Sequence, residues 1–129
     1  MTKIILKKYL KNKYFFAKSN QTPFRGDIVA FFLTDSYDGN FIKKWLSNTD
    51  YIQLGGNMIE LEKRNDSIVF SNLYDDVNSK FEFAVSRPTF LKVLDEWEQA
   101  RSESKEYIVI EVSDDNDVHI YATDKVETN

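Results

Sequence analysis

The stretch Phe81-Glu-Phe-Ala-Val-Ser-Arg-Pro-Thr-Phe-Leu-Lys-Val-Leu-Asp-Glu-Trp97 decides the fold class. Its first residues alternate, with Phe81, Phe83 and Val85 on one side and Glu82 on the other, the period-two pattern of a half-buried strand. Ser86 then offers a side-chain oxygen suited to a helix N-cap. Pro88 fits the first turn, where an amide has no intrahelical acceptor. At about 100° per residue, Phe90, Val93, Leu94 and Trp97 form one stripe, and Lys92, Asp95, Glu96 and Gln99 lie opposite. A strand followed by a capped amphipathic helix over about 87–101, packing on a sheet, is the expectation.

The flanking segments extend this pattern. Met58–Arg64 alternates, with Ile59 and Leu61 on one face and Glu60 and Glu62 on the other. Asn65 and Asp66 both tolerate positive φ and suit a two-residue turn, which sets Arg64 opposite Ser67 and Leu61 opposite Phe70. A second hairpin joins Tyr107–Val112 to Val118–Ala122. A three-residue loop Asp114-Asp115-Asn116, with Asn116 left-handed, pairs Val112 with Val118 and Ile110 with Ile120. A two-residue loop would pair Val112 with His119 and mix the faces. Asp38 can cap a shorter helix over about 39–47, with Phe41, Ile42, Trp45 and Leu46 on its inner side and Lys43 and Lys44 outward.

Two early segments stay open. Lys3–Leu10 reads as a strand or a short helix, and Asp27–Thr34 as a buried strand or a core helix turn, because periodicity does not separate short apolar runs. The whole is an α+β fold, a mainly antiparallel sheet with the main helix and the shorter helix packed on one side, in a single domain over 1–129.

Composition agrees. A chain of 129 residues, 42% hydrophobic and with ten Phe, has enough apolar material for a core without staples. The absence of cysteine excludes a disulfide framework, thiolate metal sites and a thiol nucleophile. The start, Met-Thr-Lys-Ile-Ile-Leu-Lys-Lys-Tyr-Leu-Lys, carries charge throughout, so neither a signal peptide nor a membrane span is expected and the cytoplasm is the expected location.

The residues point to no catalytic motif. His119 is the sole histidine and faces solvent opposite Glu111, beside Tyr121, in the expected register; a surface pair outweighs a catalytic dyad there. No ligand spacing supports a metal, and no cofactor is expected. Gly55-Gly56 lacks the spacing of a phosphate-binding loop and reads as a turn or bulge. Acidic pairs such as Asp75/Asp76 and Asp95/Glu96 keep a carboxylate-dependent enzyme as an alternative.

Charge is distributed unevenly. Residues 1–64 hold 11 Lys/Arg against 6 Asp/Glu, a balance of +5; residues 65–129 hold 6 against 15, a balance of −9, giving the chain its −4. Lys3, Lys7, Lys8, Lys11, Lys13 and Lys18 interleave with Tyr9, Tyr14, Phe15 and Phe16. That vocabulary fits a nucleic-acid-binding adaptor, but it fits better a strand or helix with aromatics inward and lysines solvated. The acidic half is the stronger signal. With strands and helix running up and down, Asp75, Asp76, Glu103 and Glu106 gather at the negative end of the main helix, and Asp66, Asp114, Asp115 and Asp117 at the opposite end. Such ends suit a basic protein partner.

The run from Phe81 through Trp97, followed by Tyr-Ile-Val-Ile-Glu-Val and the acidic hairpin, resembles small bacterial immunity proteins, including those that accompany polymorphic or contact-dependent growth-inhibition toxins. The likeness spans roughly 57–122 and lies in the order of strand, capped helix and hairpin. It implies a protein that binds and blocks one cognate toxin, often a nuclease, without chemistry of its own. Because such families vary most at the toxin-binding surface, it assigns no residue a role. Asp75, Asp76, Glu103, Glu106, Asp114, Asp115 and Asp117 are the candidate contacts on charge alone.

Overall fold

The computed structural model describes residues 2–10, 13–19, 25–35, 37–55, 58–72 and 82–126; Lys11, Gly56 and Phe81 lie outside them. Along the chain run β1 (Thr2–Leu10), β2 (Lys13–Ser19), α1 (Arg25–Thr34), α2 (Gly39–Ser47) and β3 (Gln53–Gly55). Then follow β4 (Ile59–Arg64), β5 (Ser67–Asn72), β6 (Glu82–Ser86), α3 (Arg87–Ser102), β7 (Tyr107–Val112) and β8 (Val118–Thr123). The fold is α+β, with every strand pair antiparallel and both expected helices in place. The strands divide into two sheets rather than one: sheet I in the order β2-β1-β7-β8 and sheet II in the order β3-β4-β5-β6.

The two open segments resolve as a strand and a helix. β1 is a strand because its alternation finds a partner in β7: Ile4 lies opposite Ile110 and Leu6 opposite Ile108, all fully buried, while Lys3 and Lys7 take the other face. Ile28, Val29, Ala30 and Leu33 of α1 are all buried, because this helix lies between the sheets, against β1 and β7 on one side and β4 and β5 on the other. A helix covered on both sides has no use for a polar stripe.

One core draws on both sheets and all three helices. Phe70 of β5 sits near its centre, its ring 5.4 Å from Phe32 of α1, 5.9 Å from Phe83 of β6 and 5.9 Å from Phe90 of α3. The stripe Phe90, Val93, Leu94 and Trp97 is buried as expected, and Tyr14 of β2 packs on Trp97 at 5.2 Å. In α2, Ile42, Trp45 and Leu46 are buried, but Phe41 is 58% exposed, at the rim of a cavity that it shares with β3 and β4.

Both hairpins keep the expected registers, Leu61 opposite Phe70 and Val112 opposite Val118. At the first turn only Asn65 has positive φ, at 54°; Asp66 does not, so the turn needs one left-handed residue and not two. At the second, Asn116 sits at φ 63° and its N–H donates to Ser113 C=O at 3.0 Å, closing the three-residue loop.

The helix ends are capped. The Asp38 carboxylate accepts the Phe41 N–H at 3.1 Å, and the Ser86 hydroxyl accepts the Thr89 N–H at 3.2 Å. At the α2 C-terminus, Lys63 Nζ donates to the carbonyls of Trp45 and Asn48, and Arg87 donates to Leu46 C=O at 3.2 Å. Cations there complement the negative helix end. Loss of solvent, then the nearby Arg87 charge, hold the Lys63 pKa below its usual value. α3 runs along β8, and Glu96 accepts the Ile120 N–H at 2.7 Å, closing part of an edge that would otherwise be open to pairing.

Phe70→Ala is expected to cost about 3–5 kcal/mol of stability in urea unfolding, as for a large aromatic removed from a packed core. A loss under about 1 kcal/mol would contradict its place at the centre.

Candidate functional site

The tip of the β7–β8 hairpin is an exposed acidic surface held in one shape. Ser113 organises it: its N–H donates to Asp117 C=O at 2.9 Å, its hydroxyl accepts the Asp117 N–H at 3.0 Å, and the same hydroxyl donates to the Asp115 carboxylate. The Asn116 side chain donates to Ala84 C=O at 3.1 Å, fastening the tip to β6 of the other sheet. Lys92 of α3 pairs with Asp117 at 3.0 Å. Asp66 belongs to the same end, since its carbonyl accepts the Arg87 N–H at 2.8 Å where α3 begins. Asp66, Asp114, Asp115 and Asp117 thus gather as the sequence suggests. The Ser113 hydroxyl, then the backbone N–H groups of Asp115 and Asp117, hold the Asp115 carboxyl below the usual carboxylate range, which keeps this exposed group ionised.

The other expected acidic end is different. Asp75 and Asp76 lie outside the described residues. Glu103 and Glu106 do sit at the C-terminal end of α3, but the lysines of β1 meet them there. Lys8 Nζ donates to the carbonyls of Ala100 at 3.4 Å, Arg101 at 3.5 Å and Glu103, so it caps the helix. Lys7 pairs with Glu106 at 3.4 Å, and Lys3 with Glu111 at 3.5 Å. This corrects the expectation for the helix end, which is offset by cations rather than reinforced; Lys3 and Lys7 keep the outward face expected of the lysines, and Lys8 is drawn to the end of α3. Sequence spacing held no signal for this, because Lys8 and the α3 terminus are more than ninety positions apart.

His119 lies opposite Glu111 and stacks on Tyr121 with centroids 5.1 Å apart, as its register implies. Its Nδ1 lies 3.3 Å from both Glu96 carboxylate oxygens. Tyr121 donates to Glu111 at 3.1 Å. These are partners across the outer face of sheet I and along α3. Among the described residues, no three His, Asp or Glu are placed to hold a metal ion, and no helix is long and apolar enough to cross a membrane.

A concave site that the sequence did not disclose opens where α1 ends and α2 begins, against β3 and β4. It measures about 320 Å³. Its apolar lining comes from Phe32, Phe41, Ile42, Leu54, Ile59 and Leu61, and its polar lining includes Asp35, Tyr37 and Asp38. Burial, then the Glu98 carboxylate, raise the Tyr37 pKa, so its hydroxyl stays protonated and donates to Glu98 at 3.1 Å. Four separate elements assemble the cavity, which is why no local motif marks it.

Lys8→Ala is expected to lower stability by about 1–2 kcal/mol, the value of a cation at a partly buried helix end, and Lys7→Ala by under about 0.5 kcal/mol, as for an exposed pair. Equal losses in urea unfolding would contradict the capping role. The Asp115 pKa is lower in the folded chain than in the unfolded one, so its contribution is present at neutral pH and disappears as pH falls through the folded value. Ser113→Ala is expected to move the Asp115 titration upward by NMR, and an unchanged titration would show that the Ser113 hydroxyl does not cause the shift.

Compared with protein-family models, curated proteins and solved structures, the chain matches none.

Proposed function

We propose that this protein binds and neutralises a cognate bacterial toxin stoichiometrically, and that it does so without chemistry of its own. The observation that best supports this reading is the acidic hairpin tip, whose carboxylates are exposed, whose backbone is closed on Ser113 and whose Asn116 side chain ties it to β6 before any partner arrives. Anionic groups fixed in advance lose little freedom on binding and speed the encounter with a basic surface. A nuclease is the natural class of toxin, because a groove that binds phosphates is basic. Inhibition then consists of covering that groove in the cytoplasm.

Asp114 and Asp115 lead the contact on this reading. Asp117, paired with Lys92, has a smaller share, as do Glu103 and Glu106, whose end of the molecule Lys7 and Lys8 already offset. Asp75 and Asp76 keep their place on sequence charge alone.

The test is co-expression with the product of the gene directly upstream, followed by affinity capture and a growth assay. A one-to-one complex that restores growth, and that weakens as salt rises, is the expected result. Asp114→Lys combined with Asp115→Lys is expected to weaken capture at least tenfold while leaving the thermal transition in place, as for charge reversal at an electrostatic interface (about 1.4 kcal/mol per decade). No complex and no rescue would overturn the proposal. A normal complex from the double reversal would remove the hairpin from the interface.

A further inference from the structure

Among the described residues β3 is an edge strand of sheet II and borders the cavity, and its backbone bonds fix which way that edge faces. Lys63 N–H donates to Ile52 C=O at 2.9 Å, and the register sets Leu54 opposite Leu61. Hydrogen-bonded and non-bonded pairs alternate along an antiparallel ladder. Leu54 therefore exchanges its bonds with β4, while the N–H and C=O groups of Gln53 and Gly55 point away from the sheet. Gln53 and Gly55 are exposed, and a Cβ built on Gly55 would meet nothing within 4 Å. The Leu54 side chain lines the cavity together with Leu61.

A strand laid beside β3 is consequently specified in register. The residue opposite Leu54 puts its side chain on the face of Leu54, the face that opens into the cavity. What waits there is an apolar wall with Phe32 and Phe41 and the Asp38 carboxylate, and among the described lining residues none is Lys or Arg. The Asp38 cap employs Oδ1 on the Phe41 N–H, and the protonated Tyr37 hydroxyl brings no charge. A cavity of about 320 Å³ lies at the lower end of the roughly 300–1,000 Å³ range of ligand pockets and has room for an inserted side chain. A long apolar stem with a cationic head matches such walls and such charge.

We propose that the β3 edge and the cavity together dock an extended segment of a protein partner, which adds a fifth strand to sheet II and inserts a Lys or Arg side chain opposite Leu54. Tyr51 and Ile52, 64% and 60% exposed at the start of the edge, lengthen the contact. The inference rests on the reading of this chain as a protein-binding domain and supplies a second contact for the same basic partner.

The test requires no toxin, so its failure and the failure of toxin capture are separate results. The isotopically labelled full chain is titrated with two capped heptapeptides of alternating threonine and valine, one with arginine at its centre and one with glutamate. The arginine peptide is expected to give saturable NMR shifts at Phe41, Gln53, Leu54 and Gly55, with at least tenfold weaker binding by the glutamate peptide. Asp38→Asn keeps a good helix cap while removing the charge, and is expected to weaken the arginine peptide several-fold. Gln53→Pro removes an outward N–H that β4 does not use, a substitution edge strands tolerate, and is expected to abolish the β3 shifts in a folded protein. Equal binding of both peptides, shifts confined to the cavity without β3, or indifference to Gln53→Pro would each overturn the proposal. So would a β3-paired dimer of this chain in sedimentation, since that places Leu54 and not a cation at the cavity.

Discussion

A helix, α1, whose buried residues Ile28, Val29, Ala30 and Leu33 meet two four-stranded sheets at once is the constraint on which the rest of the molecule depends. Its Phe32 ring reaches both Phe70 of sheet II and Phe90 of α3. Neither sheet could satisfy this helix alone, because each covers only part of its circumference. The helix also sets where the concave site lies. α1 ends at Thr34 and α2 begins at Gly39, while sheet II continues outward to β3, and the connection carrying Asp35, Tyr37 and Asp38 forms part of the lining left between them.

Magnitudes separate what stabilises from what positions. Exposed ion pairs such as Lys7–Glu106 contribute about 0–1 kcal/mol each, against about 3–5 kcal/mol for one central aromatic. Their consequence is placement of charge. Lys7 and Lys8 offset the C-terminal end of α3, whereas Ser113, Asn116 and Lys92 fix the acidic tip at its other end. Arg64 works similarly on the outer face of sheet II. It bridges Glu62 of β4 and Glu82 of β6 across β5, where Val69 is only 4% exposed.

The sequence was most legible where neighbours in the chain are neighbours in space. Ile59 and Leu61, Phe83 and Val85, the stripe from Phe90 to Trp97 and both hairpin registers could be read because period and turn chemistry are local. Partition into two sheets was not legible, since it depends on β1 finding β7 a hundred residues away. α1 was ambiguous because burial on both sides erases the periodicity that identifies a helix. β3 is only Gln53–Gly55, too short to show alternation. Phe41 was misplaced because its helical position fits the inner stripe, yet the cavity leaves nothing there to cover it. The acidic tip was legible as composition and register, while its fastening through Ser113, Asn116 and Ala84 was not.

Toxin binding of the kind proposed depends on surfaces that are ordered before a partner arrives. Native-state hydrogen exchange tests this most directly. The Asn116 and Asp117 amides donate to Ser113, and the Ile120 amide donates to Glu96. If the tip is fixed by the fold, these amides exchange with protection within about tenfold of Ile110 in the centre of sheet I, opening only when the sheet opens. Exchange of Asn116 and Asp117 near the unprotected rate, with Ile110 still protected, would contradict a preordered tip, because the carboxylates would then be carried on a loop that a partner must first order.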